Sequence, residues 1–283
     1  MSSPVDLHLH SDRSDGRLRP RELVSLVATQ GVETFALTDH DTVAGLEEAA
    51  EAARRHGLRL VPGVEISVTW CARELHVLGL GVAPDCVTLQ GGLARQAEIR
   101  AERARRIGER LERAGVPGTV EEAYRLARDR HVSRSHFARA LVRGGHARDM
   151  AAAFRQYLAR GRPGHVRAEW VPLEAAVSWI RTAGGVAVLA HPHRYGFTGR
   201  WMRRTLEAFQ AAGGEAMEVA CAGGGPGALA ANAERARQHG LEGSVGSDFH
   251  DPGNPWIRPG RVAPLPAGIA PVWRRWVRAG GSA

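Results

Sequence analysis

Histidines and carboxylates recur along this sequence in short groups whose spacing suits metal coordination. In Asp6-Leu7-His8-Leu9-His10 an extended backbone, whose side chains alternate with period two, turns Asp6, His8 and His10 to one face and Leu7 and Leu9 to the other. Comparable groups follow at Thr38-Asp39-His40-Asp41, at Glu65, at His76, at His191, and at Asp248 with His250. One such group alone would be an ordinary half-buried histidine. Gathered at one rim, they would cost on the order of several kcal/mol per unpaired charge unless cations compensate them. A multi-metal centre meets that requirement. Imidazole and carboxylate donors without thiolates suit Mn²⁺, Zn²⁺ or Fe²⁺ better than Mg²⁺, which prefers oxygen and keeps its waters. Asp39 and Asp41 flank His40 and are expected to orient it or to cap the helix that follows.

The elements that must position these groups can be read from hydrophobic pattern. Short apolar runs bounded by turn residues predict strands at 5–9, 34–38, 58–64, 75–82, 186–190, 216–220 and 244–247. Helical patterns at 20–30 and 43–56 stop at Gly31 and Gly57, as helix C-termini often do. Strands are missing from 83 to 166, where a long Arg/Glu/Ala-rich helix at 89–114 precedes shorter ones at 120–130, 135–143 and 150–159; a helix at 173–183 then resumes the alternation. The expectation is an α/β barrel or related parallel sheet built from 1–82 and 167–283, with 83–166 as a helical insertion. Functional groups in such folds collect beyond the C-terminal strand ends, where most of the groups above would fall. The Gly-rich stretch 222–227 lacks the dinucleotide fingerprint and the Walker lysine, and reads as a plain strand-to-helix turn.

With 283 residues, 43% of them apolar, the chain can bury one large core and a small accessory lobe, which excludes disorder and collagen-like repetition. No stretch approaches the roughly 20 apolar residues of a membrane span, and no signal-peptide core precedes the first strand, so a soluble cytoplasmic protein is expected. Three cysteines at scattered spacing, Cys71, Cys86 and Cys221, suggest neither a disulfide framework nor a thiolate zinc site. The 38 basic residues, every one an arginine, exceed the 30 acidic ones and favour a phosphate-rich partner, since the guanidinium fork binds two oxygens at once. Nothing points to a protein partner.

Taken in order, Asp6-Leu-His-Leu-His10-Ser11, Ser14-Asp15-Gly16, Thr38-Asp39-His40-Asp41, Pro62-Gly-Val-Glu65-Ile-Ser67, His76, Ala190-His191-Pro192 and Gly246-Ser247-Asp248-Phe249-His250 resemble the PHP (polymerase and histidinol phosphatase) superfamily over nearly the whole chain. The resemblance implies a distorted (β/α)₇ barrel with a trinuclear metal centre. His8, His10, Glu65 and Asp248 would hold one ion, Glu65, His76 and His191 a second, and Asp15, His40 and His250 a third, with Glu65 bridging two of them. Many relatives carry histidine where Asp15 stands. Within the superfamily, 132–142 and 154–164 resemble the branch of ribonuclease AM and the 3′,5′-nucleoside bisphosphate phosphatases. That implies removal of the 3′-phosphate from nucleoside 3′,5′-bisphosphates and 5′-to-3′ trimming of short or 5′-phosphorylated RNA.

By the same similarity Arg134, Ser135 and Arg162 would contact the substrate's 5′-phosphate. Relatives carry lysine at the place of Arg162, which keeps the charge and changes the geometry. Arg13, His193 and Arg194 sit beside the ligand motifs, where they could add phosphate contacts or protonate the leaving oxygen. The reaction implied is attack on phosphorus by a water that the metals acidify, with Asp248 as its proton acceptor and Glu65 and His191 completing the reacting centre. Trp256, Trp273 and Trp276 are expected to pack a terminal lid or helix. The rival readings are a PHP phosphatase for another small metabolite, such as histidinol phosphate, and a non-catalytic metal-stabilised nucleic-acid-binding module.

Overall fold

The computed structural model describes residues 3–128 and 131–277. The last two residues of the predicted helix 120–130, and the outer ends of 1–82 and 167–283, lie outside the described residues. The first half of the barrel runs β1 (Val5–Asp6), α1 (Pro20–Thr29), β2 (Thr34–Leu37), α2 (Leu46–His56), β3 (Arg59–Trp70) and β4 (Arg73–Leu80). Pro20 opens α1 at a position where its missing N–H is no loss, and the Glu22 carboxylate accepts from the Arg19 N–H at 2.9 Å. Gly57, at φ 67°, closes α2 in the left-handed conformation. Leu23, Val24 and Val27 of α1 and Ala49, Ala52 and Ala53 of α2 bury one apolar stripe each against Phe35 and Leu37 of β2.

Four helices then intervene: α3 (Val87–Arg113), α4 (Thr119–Leu126), α5 (Arg134–Arg143) and α6 (Met150–Ala153), the last continuing as a π-helical turn over Phe154–Leu158. The start of α3 packs Leu89 and Leu93 into the barrel core, whereas Ala104, Ile107 and Leu111 join a separate cluster with Phe137, Leu141 and Leu158. The chain returns through α7 (Leu173–Thr182), β5 (Val186–Leu189), a 3₁₀ turn at Pro192–Tyr195, α8 (Gly199–Ala211), β6 (Ala216–Cys221), α9 (Pro226–His239) and β7 (Glu242–Gly246), and a final 3₁₀ turn covers Val272–Arg275.

The strands form one seven-stranded sheet in the order β1 to β7. Its edges meet, because Leu7 N–H donates to Val245 O at 2.9 Å and Asp248 N–H to His8 O at 2.8 Å. The result is a nearly closed, distorted α/β barrel. The parallel sheet expected from the sequence needs correction at β4, which runs antiparallel to both β3 and β5. β3 extends to Trp70, beyond its expected end at 64, and is joined to β4 by Cys71 and Ala72 alone, at φ 44° and 61°. A two-residue turn of that hand can only reverse the chain, since a parallel crossover needs a dozen or so residues. Glu65 therefore lies inside a strand and not at its end. The hairpin register pairs Ser67 with His76 and Glu65 with Leu78, so Glu65 and His76 share a face as diagonal neighbours.

Trp273 and Trp276 pack on the core beside Val262 and Val272, as expected, but Trp256 is 80% exposed and packs no lid. Among the described residues no helix is long and apolar enough to cross a membrane.

Candidate metal centre

The predicted ligands all reach the C-terminal mouth of the barrel. His8 and His10 follow β1, Asp15 lies in the next loop, His40 follows β2, Glu65 and His76 come from the β3–β4 hairpin, His191 follows β5, and Asp248 and His250 follow β7. His191 and Asp248 take φ of 27° and 52°, and Asp41, just beyond β2, takes 51°. Left-handed backbone at three non-glycine residues is strain of roughly 1–3 kcal/mol each, held by the surrounding barrel.

Three overlapping donor groups result. His8, His10, Glu65 and Asp248 form the first, His10, Asp15, His40 and His250 the second, and His40, Glu65 and His76 the third. His191 joins the last, with Nε2 3.0 Å from Glu65 Oε1 and 3.2 Å from His76 Nδ1, while His76 Nδ1 is 2.8 Å from the same oxygen. Glu65 Oε2 lies 3.2 Å from Nε2 of both His8 and His10 and 2.9 Å from His40 Nδ1, yet makes no hydrogen bond. His8 and His10 face each other Nε2 to Nε2 at 3.0 Å. Asp15 Oδ1 is 3.1 Å from His250 Nε2 and is likewise without a hydrogen bond. Buried lone pairs that converge on common points, and not on donors, fit divalent cations.

The electrostatics agree. Burial opposes ionisation of Glu65, but the imidazoles of His40, His8 and His76 outweigh it and hold the carboxyl well below its ordinary range. Asp248 is held down in the same way, against burial, by His8, His250 and Arg194. In return, and again against burial, the carboxylates of Asp248 and Glu65 beside it lift His10 to about 9, and the charge of Glu65 lifts His76 to about 10. The centre thus holds protons where it could hold cations.

Supporting groups surround these donors. Asp39 accepts from the Ser11 N–H at 2.7 Å and the Ser14 hydroxyl at 2.6 Å, fixing the loop that carries Asp15. Asp41 accepts from the Ser67 N–H at 2.8 Å and Arg100 Nε at 2.8 Å, tying β3 to α3. Asp6, which shares a strand face with His8 and His10, accepts from the N–H groups of Ser247 and Gly260 at 2.9 and 2.8 Å, and so anchors the β7 loop.

Sequence reasoning missed Glu218 of β6, a fully buried carboxylate whose Oε1 is 3.0 Å from His8 Nδ1 and whose Oε2 accepts the His191 N–H at 2.6 Å. With Nδ1 donating to Glu218, the Nε2 lone pair of His8 is free to face the centre. A charge inside the apolar run of β6 was the available signal. Gly246 makes the arrangement possible, since a Cβ there would sit 2.3 Å from His8 Cβ and 2.5 Å from Glu218 Oε1.

The donors open onto a cleft of about 600 Å³ between the barrel mouth and α5. Arg134 and Ser135, the first residues of α5, line it, and so does Arg194, whose guanidinium is hydrogen-bonded to Asp248 Oδ2. Arg134 makes no hydrogen bond or close ion pair among the described residues, though its charge helps hold the Glu74 carboxyl down across the cleft. Arg162 does not line the cleft; it lies exposed in the turn after the π-helical segment, its N–H donating to Ala159 O at 3.0 Å. Arg13 pairs with Glu48 at 3.0 Å, and His193 lines a neighbouring depression with Trp256. Arg100, Arg103 and Arg139 reach the cleft without having been predicted to. The first two lie over the ring of Trp170, at 4.9 and 5.3 Å from its centroid.

A barrel of this topology with such a mouth defines a metal-site hydrolase scaffold, and the chain belongs to the PHP domain family, whose model matches residues 6–159. Among curated relatives, the 5′-3′ exoribonuclease Rnm of Escherichia coli K12 is 46% identical over 96% of this chain and 93% of its own. The 3′,5′-nucleoside bisphosphate phosphatase of Chromobacterium violaceum is 44% identical over 95% of both chains. A solved structure described as an amidohydrolase from C. violaceum, with bound sulfate and no metal, superposes with a TM-score of 0.92 at 44% identity, over 96% of this chain and 95% of that one.

Proposed function

We propose that the protein is a metal-dependent phosphoesterase that hydrolyses the 3′ phosphate ester of 5′-phosphorylated nucleotides. It would convert nucleoside 3′,5′-bisphosphates to nucleoside 5′-monophosphates and trim short or 5′-phosphorylated RNA from the 5′ end, as the names of its relatives suggest. A cytoplasmic setting suits both substrates. The observation that carries the reading is that one cleft contains both the convergent donors and, across from them, the N-terminus of α5 with Arg134.

His8, His10, Glu65 and Asp248 would hold the first ion, Glu65, His76 and His191 the second, and Asp15, His40 and His250 the third. Bound divalent ions, Mn²⁺ in our reading with Zn²⁺ or Fe²⁺ also suited to these donors, would acidify water toward neutral pH and offset charge building on the phosphoryl oxygens. Glu65 and His191 fix the donor geometry. Asp248, held ionised, offers its Oδ1 to the proton of the attacking water, while Arg194 anchors Oδ2. Arg134, through its guanidinium and backbone N–H, and the Ser135 hydroxyl take the 5′-phosphate at the start of α5, because a helix N-terminus carries partial positive charge. We assign the helical segment 83–166 the role of supplying these contacts, with Arg162 outside the clamp. Water attacks phosphorus and the bond to the 3′ oxygen breaks, so the phosphate stays with whatever follows it.

The test is turnover by metal-reconstituted protein. A clamp on the 5′-phosphate predicts kcat/KM for adenosine 3′,5′-bisphosphate roughly 10- to 100-fold above that for adenosine 3′-monophosphate, the worth of a charge-assisted contact. Equal values would remove the clamp, and hydrolysis of histidinol phosphate alone would replace the substrate class.

A further inference from the structure

Beside the catalytic cleft lies a second groove of about 380 Å³ that shares two wall residues with it, Glu74 and Arg194. The remaining wall is strongly basic. Arg73 of β4, together with Arg160, His165 and Arg167 from the segment after the π-helical turn, lines it. Arg73, Arg160 and Arg167 are exposed, and none has an ion-pair partner among the described residues. The one carboxylate in the wall, Glu74, is already paired with Arg103 at 3.7 Å. Arg73 is held in place, with its guanidinium 4.6 Å from the ring centroid of Trp201 and 5.1 Å from that of Phe197.

This positive channel begins at the phosphate end of the reaction. Arg194 reaches Asp248, and Glu74 neighbours His76, so the groove opens where the attacked phosphate must lie. Cleavage of the bond between phosphorus and the 3′ oxygen leaves that phosphate on the downstream chain, which must therefore lead away from the donors. We infer that this groove binds the phosphodiester backbone of RNA on the 3′ side of the cleaved bond, and so separates an RNA substrate from a single nucleotide. The inference rests on the phosphoesterase reading above. The neighbouring depression lined by His193, Gly224, Trp256 and Arg261 is less charged, and serves as the rival route.

The experiment compares the double variant Arg160→Gln/Arg167→Gln with the unaltered protein on two substrates, adenosine 3′,5′-bisphosphate and a 5′-phosphorylated oligoribonucleotide of several residues. Both positions are exposed, so folding should be unaffected, and a thermal melt checks this. Expected is a loss of about tenfold in kcat/KM on the RNA, with the bisphosphate unchanged within about twofold. The slope of log(kcat/KM) against log[salt] for RNA should also become shallower by about 0.7 for each contact removed. Arg73→Gln should act in the same direction from the opposite wall. Equal losses on both substrates would assign the arginines to the one-nucleotide site and overturn the inference, as would no change on RNA, or a loss seen only with Trp256→Ala. If the unaltered protein hydrolyses neither substrate, the functional reading fails first. Anisotropy of a labelled 5′-phosphorylated RNA, with and without the double substitution, then still decides whether the groove binds RNA.

Discussion

At the residue scale the site depends on imidazoles aimed by carboxylates. Glu218 touches no substrate-facing atom in the cleft, yet it fixes the tautomer of His8 and the backbone of His191. Glu218→Gln should weaken metal binding about 10- to 100-fold while the barrel stays folded, measured by competition with a chromogenic chelator; unchanged affinity would reduce Glu218 to a packing residue. A second expectation concerns protons. His10 near 9 and His76 near 10 stay charged in the metal-free protein at neutral pH, so cations must displace protons. Both values are raised above the unfolded one, so their contribution to metal-free stability is complete below about pH 6.5 and is lost as pH rises through 9 and 10. Apparent metal affinity should therefore climb with pH up to that range, and calorimetry in buffers of different ionisation enthalpy should register proton release. Pairwise motifs such as His8-x-His10 announced the donors because each group is short and local. Glu218 stands alone in an apolar strand, and Arg162, expected at the substrate from a resemblance and not from any pattern around it, lies exposed outside the cleft lining.

At the element scale α5 is tied to the donors, and in the proposed clamp it would carry that tie to the 5′-phosphate. Its N-cap Ser133 accepts the Ser135 N–H at 3.1 Å and donates its hydroxyl to Asp15 Oδ2 at 3.1 Å, so one hydroxyl joins the helix start to a predicted ligand. His136 completes the cap by accepting the Ser133 N–H on Nδ1 at 3.0 Å, which requires a neutral ring, and burial pushes its pKa down to about 4. Ser133→Ala should lower stability by about 1 kcal/mol, the usual worth of a cap, and raise KM for 5′-phosphorylated substrates more than it lowers kcat. The reverse split would mean that the helix start acts on the metals and not on the phosphate. All seven strands and the run of helices were legible from apolar runs and their stops. The antiparallel β3–β4 hairpin was not, because Cys71 and Ala72 take a left-handed turn without the Gly or Asn that usually marks one. That turn carries β3 past Glu65 and brings His76 back alongside it.

At the scale of the whole molecule the donor set, once occupied, would work as a staple. It draws on the first strand, the β3–β4 hairpin and the last strand, so occupied sites would join parts of the chain that the barrel brings together only when its edges meet at β1 and β7. The helical lobe is different, since its core of Ile107, Leu111, Phe137, Leu141 and Leu158 is its own, and it touches the donors through Ser133 and through Arg139, which donates to Asp15 O. A ligand that binds only the folded state at a hundredfold excess over Kd stabilises it by about 2.7 kcal/mol, or roughly 5–10 °C in Tm for a domain of this size. Chelation should therefore lower the main unfolding transition by about that much. Hydrogen exchange should locate the loss at 8–16, 63–67, 189–193 and 246–251, leaving α4 and the middle of α5 nearly as protected as before. Equal loss of protection in barrel and lobe would mean that the two cores unfold as one unit whatever the metals do. No shift on chelation would mean that the convergent histidines and carboxylates are stable as a proton-bridged network without any cation.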